Sequence, residues 1–296
     1  MTDQTLDQAD GTAPLDTELG PTGGVRTASS PNPPHSACTG PPASSLSATR
    51  RAASARRRRR STSAPRSPST VAVCSRSTST RRRAVGGLGV QSHDVTTIYD
   101  LLLSRQLDPV DAIQKTTVEG LDVIPPANID LSAAEVHLVT EVAREQILAG
   151  VLRRVAPLYD VILIDCQPSL GLLTVNALTA AHGVVIPLEC EYFALRGVAL
   201  LIETIDKVRD RLNPAIELDG ILATMYDART LHSREVLERV IGAFGDDVLE
   251  TVITRTVKFP DATVAAVPIT EFAPEHQASK SYRQLARELV FRGAVA

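Results

Sequence analysis

The sequence predicts an α/β protein organised on a doubly wound, mostly parallel β-sheet. Two observations carry that prediction. From about residue 90 onward, short apolar runs rich in β-branched residues recur, and longer stretches with apolar residues at helical spacing lie between them. A run that is apolar throughout, instead of alternating, is the pattern of a strand buried on both faces. Such strands need helices as covers, and their alternation with helices implies right-handed crossovers between parallel strands.

The expected strands are Leu121 to Ile124 (LDVI), Val161 to Asp165 (VILID), Val184 to Glu189 (VVIPLE), Gly220 to Tyr226 (GILATMY) and Leu249 to Ile253 (LETVI). Between the first two, Ser132 and Glu135 form a capping-box pattern ahead of Val136, Val139, Ala143, Ile147 and Val151, one apolar stripe at helical spacing. Val198, Leu201, Ile202, Ile205, Val208 and Leu212 give a second helix, stopped near Pro214. Tyr282, Leu285, Ala286, Leu289 and Val290 give a third near the C-terminus. In sheets of this kind, ligands bind at the carboxyl ends of the strands.

The region before these elements is different. From Leu19 to His93 there is no Asp or Glu, while 13 of the 31 basic residues, all arginines, lie there among Ser, Thr, Pro and Ala. Such a stretch cannot bury enough apolar surface to offset chain entropy and is expected to be disordered. The expected organisation is therefore a disordered segment over 1–86, with an acidic leader, and a folded domain over 87–296. From Asp94 onward 29 acidic residues face 18 basic ones, which argues against the folded part being a general polyanion binder. No apolar run approaches the roughly 18 residues of a membrane span, and the N-terminus lacks a signal-peptide pattern, so a cytoplasmic location is expected. The four cysteines show no CxxC or Cys/His ligand spacing, and neither zinc nor a disulfide framework is expected. Cys166 reads as a small buried residue, and the six histidines are scattered without catalytic spacing.

Tyr159 to Gly171 reads YDVILIDCQPSLG, an apolar strand ending in one carboxylate, Asp165, and followed by a Pro-Ser turn. A buried strand that delivers a single acid to the sheet edge suits a nucleotide site, where it holds Mg²⁺. The same acid could instead cap the following helix. Glu189 and Glu191 flank Cys190 at another strand end and read as solvated loop acids, outside the metal set.

YDVILIDCQPSLGLLTVNALTAA, VVIPLECEYFALRG (Val184 to Gly197) and ILATMYDART (Ile221 to Thr230) together resemble the ParA/Soj/MinD family of deviant Walker ATPases, in its chromosome-partitioning ParA/Soj branch. GLDVIPPANIDLSAAEVHLV (Gly120 to Val139) is similar to the segment preceding that strand, and the likeness runs from about residue 88 to 291. The resemblance implies a P-loop NTPase type of sheet, ATP and Mg²⁺ as cofactors, and Asp165 on the metal. It also implies adenine-side contacts from Thr224, Met225 and Pro268. Arg229, Arg255 and Lys258 would form a non-specific DNA patch on a homodimer, with a ParB-like partner, a nucleoid association and no membrane. Lys258 stands where the family has arginine, and Thr263 where it has proline, which weakens that carry-over.

One family element is missing, the KGGVGKT loop whose backbone N–H groups and lysines hold the phosphates. No GKS or GKT occurs, and residues 1 to 93 contain no lysine. Catalytic residues are therefore not intact. The arginine tract has a reading in the neighbouring frame. With suitable codons, Thr49 to Ala64 (TRRAASARRRRRSTSA) regroups one base earlier into QKGGVGKTTTTINLG, the missing loop and the start of its helix. Cys38 to Ala48 yields HGPARIIALCN, a first strand, and Pro65 to Arg82 yields AALAEYGRR, VLAV and DFDPQ. A frameshift entering between about Gly23 and Cys38 and reversing between about Arg82 and Gly87 accounts for this. The sheet is then expected to be incomplete at its N-terminal part, without its first strand, phosphate loop, first helix and second strand, and ATP binding is expected to be impaired. Two readings of other classes compete: a non-enzymatic partner-binding scaffold, and a nucleic-acid binder using Arg50 to Arg60.

Overall fold

The computed structural model describes residues 46–50, 70–74, 90, 95–126, 132–166, 169–191 and 194–294. Seven strands form one sheet: β1 (Leu46–Arg50), β2 (Thr70–Cys74), β3 (Gln114–Lys115), β4 (Leu121–Ile124), β5 (Val161–Asp165), β6 (Gly183–Glu189) and β7 (Glu217–Thr224). Their order is β3-β4-β2-β5-β1-β6-β7. Strands β4, β2 and β5 run parallel, as do β6 and β7. The short edge strand β3 is antiparallel to β4. The architecture is the α/β, mostly parallel sheet expected from the run pattern.

The helices are α1 (Ile98–Leu103), α2 (Ser132–Leu138), α3 (Ile147–Val155), α4 (Leu172–Ala180), α5 (Ala194–Arg211), α6 (Leu231–Phe244), α7 (Lys258–Ala265), α8 (Ile269–Phe272) and α9 (Gln277–Phe291). They cover the sheet on both sides. Along β6, Val184, Ile186 and Leu188 pack with α5 and α6 through Val198, Ile205, Val208, Val236 and Val240. The alternate residue Val185 packs with Leu222, Leu249, Ile253 and Leu285 of α9 on the other face. Period-two alternation with both faces apolar is what a doubly covered strand requires. A further core joins Ile124, Ile162 and Ile164 to α1, α3 and α4 through Ile98, Leu101, Leu152, Leu173 and Ala177.

Three expectations are corrected. Leu249 to Ile253 is not a strand, although its ends bond to β7 through Leu249 N–H to the Ile221 carbonyl and Ile253 N–H to the Ala223 carbonyl, both at 2.9 Å. Between them, the N–H groups of Glu250 and Thr251 donate to the Glu288 carboxylate of α9, at 2.7 and 2.9 Å, and the ladder is interrupted. The stripe from Val136 to Val151 is not one helix. Ala143 adopts φ 55°, a left-handed conformation that breaks the helix, and a 3₁₀ turn at Arg144–Gln146 restarts it as α3. Val136 and Val139 are exposed, and the buried residues are Ala134, Leu138, Leu148, Leu152 and Val155.

The third concerns the N-terminal part of the sheet. The two strand positions expected to be lost are filled by β1 and β2, because an extended backbone satisfies its neighbours' hydrogen bonds whatever its side chains. Strand β2 (TVAVC) is rich in β-forming residues and runs parallel to β5, with Cys74 opposite Asp165. Strand β1 runs antiparallel to both β5 and β6, with Leu46 opposite Asp165 and Arg50 opposite Val161. The rest of the arginine tract, the acidic leader and the regrouped loop positions lie outside the described residues.

Candidate functional site

Five strands present their carboxyl ends at one edge of the sheet: β2, β4, β5, β6 and β7. Asp165 closes β5 there and is half-buried. The next residue, Cys166, is 1% exposed, with its thiol 3.8 Å from the Ile164 carbonyl, and is packed as a small apolar residue. The loop then turns into α4, where the Thr174 hydroxyl donates to the Ser169 carbonyl at 2.5 Å. Gly171 is the N-cap of α4, and a Cβ there would run into the Glu135 carboxylate of α2. That carboxylate accepts the Leu173 N–H at 3.1 Å and caps α4. Glu135 therefore serves the start of α4, a contact that its spacing from Ser132 does not announce. A two-sided capping box is present at Thr97 and Asp100 on α1.

Strands β6 and β7 end side by side, with Glu189 opposite Thr224. The Thr224 hydroxyl donates to the Leu188 carbonyl at 3.1 Å, and the Cys190 N–H to the Thr224 carbonyl at 3.1 Å. Met225 follows with φ 52°, so the chain leaves β7 through a strained left-handed residue. Burial raises the Glu189 carboxyl, and the neighbouring Glu191 raises it further against the opposing pull of Arg255. The Cys190 thiol is pushed up to about 11 by burial and is not poised as a nucleophile. Thr224 and Met225 share this edge with Glu189. Pro268 belongs to another element, the start of α8, where its carbonyl accepts the N–H groups of Glu271 and Phe272.

The three candidate DNA-contacting cations are exposed, and each faces an acid. Arg229 pairs with Asp227 at 3.0 Å and holds that carboxyl down at about 2. Arg255 lies 3.8 Å from Glu191. Lys258 lies 3.5 Å from Asp261 and 6.0 Å from the centre of the Phe272 ring. Arg255 is drawn to the β7 end by its N–H, which donates to the Tyr226 carbonyl at 2.9 Å. A phosphate reaching any of them competes with a carboxylate already in place.

Magnesium accepts one or two carboxylates together with phosphate oxygens and waters. Asp165 fits the first part of that set. Among the described residues no group of three or more His, Cys, Asp or Glu side chains could hold a metal by itself. For the phosphate part, no lysine stands at this edge among the described residues. The four lysines pair elsewhere: Lys115 with Asp122, Lys207 with Glu203, Lys258 with Asp261 and Lys280 with Glu275. The described residues therefore fit the metal half of a magnesium–nucleotide site and, among them, no lysine is placed for its phosphate half. A groove of about 330 Å³ between α1 and α3, lined by Leu101, Arg105, Ile147 and Arg154 among others, includes none of these strand-end residues. No helix among the described residues is long and apolar enough to cross a membrane.

The profile of a family described as an AAA domain matches residues 77–218. An uncharacterized protein of Mycobacterium tuberculosis is 55% identical over 207 residues, which are 70% of this chain and 65% of that protein, so the chain spans about two thirds of this relative. The sporulation initiation inhibitor protein Soj of Bacillus subtilis is 44% identical over 211 residues, 71% of this chain and 83% of that protein. Among solved structures, cobyrinic acid a,c-diamide synthase from Mycobacterium smegmatis superposes with a TM-score of 0.63 at 34% identity, covering 76% of this chain and 82% of that one. A second crystal structure of that protein holds ADP and magnesium, with a TM-score of 0.56 at 36% identity over 67% of this chain and 78% of that one. With relatives named Soj and ParA 43–47% identical to it and covered over 74–83% of their length, the chain belongs to the ParA/Soj family of chromosome-partitioning ATPases.

Proposed function

We propose that this chain is a partitioning-type ATPase whose nucleotide edge is half-built, so that Mg²⁺–ATP binding is weak. Its location is cytoplasmic and associated with the nucleoid. In the complete design, ATP bound at the strand ends drives homodimerisation, the dimer holds DNA non-specifically through Arg229, Arg255 and Lys258, and a ParB-like protein stimulates release. Asp165 holds the metal, and Thr224, Met225 and Pro268 line the base side. The organisation into a segment over 1–86 and an ATPase domain over 87–296 belongs to this reading.

One observation carries it: the polarity of β1. A phosphate loop must leave its strand at the edge where Asp165 stands. Strand β1 reaches that edge with its first residue, Leu46, and ends opposite Val161 at the far edge. Strand β1 therefore ends, at Arg50, on the side of the sheet away from Asp165, opposite to what a phosphate loop following its strand requires.

The test compares the chain as written with one recoded over 38–82 to carry the regrouped sequence, by titrating a fluorescent ATP analogue with Mg²⁺. Several charge-assisted hydrogen bonds separate the two, so the recoded chain is expected to bind on the order of 100-fold more tightly or better. In the recoded chain Asp165→Asn should abolish the Mg²⁺ dependence of that binding. Equal, tight, Mg²⁺-dependent binding by both chains would sink the reading.

A further inference from the structure

Helix α3 carries two stripes with different neighbours. Leu148, Leu152 and Val155 are buried in the core shared with β5 and α1. The adjoining stripe, Gln146, Ile147, Gly150, Val151 and Arg154, forms one wall of the groove of about 330 Å³. From Gln146 to Arg154 that wall runs for about 12 Å at the helical rise. The opposite wall comes from α1 and the loop after it, through Leu101, Arg105 and Leu107. Leu107 is 37% exposed, and Val110 in the same loop is 42% exposed. A groove of this length and volume is a narrow, open trough. It suits a row of side chains presented at helical spacing better than it suits a compact molecule.

Two features of the trough are not accounted for by the chain's own packing. Gly150 lies inside α3, where glycine is less favourable than alanine because it loses more backbone freedom on folding. A Cβ at that position would meet nothing within 4 Å, so no neighbour in the described structure requires its absence. What the missing methyl group leaves is depth in the groove. The second feature is charge. Arg154 is balanced by Asp108 at 2.8 Å, but the exposed Arg105 on the opposite wall has no acidic partner among the described residues, and neither has the exposed Arg153. From Asp94 onward acidic residues outnumber basic ones by 29 to 18, so a basic rim here runs against the background. An apolar floor with guanidinium groups at its rim complements an apolar row flanked by carboxylates, which arginine binds through paired hydrogen bonds.

We propose that the α1–α3 groove is a docking site for an acidic amphipathic helix of a partner protein, seated with its apolar row over Gly150 and its carboxylates toward Arg105. An apolar row at i, i+3 or i+4 and i+7 spans about 10 Å, which the length of the trough accommodates. Gly150 lets that row approach α3 closely, and Ile147, Val151 and Leu107 supply the apolar contact. Arg105 sets the preference for acid over base. Docking here does not require the nucleotide edge to be complete, because the groove contains none of its residues.

The experiment uses the full chain and a labelled synthetic helix, EELAEELEALEEALEE, read by fluorescence anisotropy. Its comparisons are the lysine version KKLAKKLKALKKALKK and an acidic version with the leucines scattered around the helix. The acidic helix should bind saturably, and both comparisons at least about tenfold more weakly. Gly150→Leu fills the groove and Arg105→Glu reverses its rim, and each should weaken the acidic helix at least about tenfold. Arg105→Glu should also strengthen binding of the lysine version. Gly150→Ala separates docking from folding: it should raise the urea midpoint of the chain and still lower its affinity for the acidic helix. No saturable binding of the acidic helix, or binding unchanged in both Gly150→Leu and Arg105→Glu, would overturn the site. Equal binding of the lysine version would overturn the acidic partner. Two other occupants leave their own signatures, and either would overturn the partner helix. A sedimentation mass that falls from dimer to monomer in Gly150→Leu would mark a second copy of this chain. Saturable binding of the dye anilinonaphthalene sulfonate that Gly150→Leu removes, with no peptide bound, would mark a small apolar anion.

Discussion

Glu288 is a single side chain that decides whether a stretch of five residues is a strand. Its two carboxylate oxygens take the N–H groups of Glu250 and Thr251, which would otherwise continue the ladder beside β7, and Arg292 supports it at 3.3 Å. Burial pushes the Glu288 carboxyl up, but the Thr251 hydroxyl, the two N–H groups and Arg292 outweigh it, and the net value lies below the ordinary 4.5. Glu288→Ala leaves two backbone donors without their charged acceptor and should cost about 2 kcal/mol, read as a lower urea midpoint. A carboxyl held below its unfolded value stabilises fully above that value and loses its contribution as pH falls through the folded one. The difference between wild type and Glu288→Ala should therefore be complete at pH 7 and shrink once pH drops below about 4.5. Nothing in LETVI announces this competition, because its acceptor lies 37 and 38 residues away. A locally apolar, β-branched run reads as a strand, and only tertiary packing removes it.

At the scale of elements, the junction of α2 and α4 connects the segment before β5 to the loop that carries Asp165. Strands β4 and β5 were legible to the residue, because each is a continuous apolar run with polar flanks. Helix α5 was legible for a similar reason, its stripe being stopped by Pro214. The region from Ser132 to Val155 was not, because Val136 and Val139 continue a helical spacing that the backbone leaves after Leu138, ahead of the left-handed Ala143. The candidate site divided in the same way. The positions of Asp165 and Thr224 at strand ends, with Met225 just after, follow from the apolar runs, whereas the ion pairs that occupy Arg229, Arg255 and Lys258 depend on loops folding back. Glu135 was seen for its spacing from Ser132, and its contact with α4, 38 residues on, was not legible. Its contact with Gly171 makes a specific expectation. Glu135→Ala should cost about 1 kcal/mol by uncapping α4. Gly171→Ala should cost more, since its new methyl group meets that carboxylate. In the double variant the methyl finds open space, so the two losses should fall short of additivity by at least about 0.5 kcal/mol in chemical denaturation. Strict additivity would mean that the two residues do not share this contact.

For the molecule as a whole, β1 has a second consequence. Among the described residues, the buried apolar side chains fall into three clusters. One core gathers Ile124, Ile162 and Ile164 with α1, α3 and α4, and two others gather β6 and β7 with α5, α6 and α9. Among the described residues, β1 lies between the two sides in the sheet, and on one covering layer α4 joins them, with Ala177 in the first cluster and Leu178 in the second. The stability of a structure is distributed in cooperative units, and weakly bridged units open separately. The side containing β6 and β7 is joined by seven residues of parallel pairing and covered on both faces, so it should be the last to open. In native-state hydrogen exchange across a urea series, Ala48→Pro should lower the opening free energy of 121–124 and 161–165 while leaving 217–224 near its wild-type value. If β1 is instead an integral member of one cooperative sheet, the variant will lower all three segments together, and the description of β1 as a bridge between two separately cored halves will have to be given up.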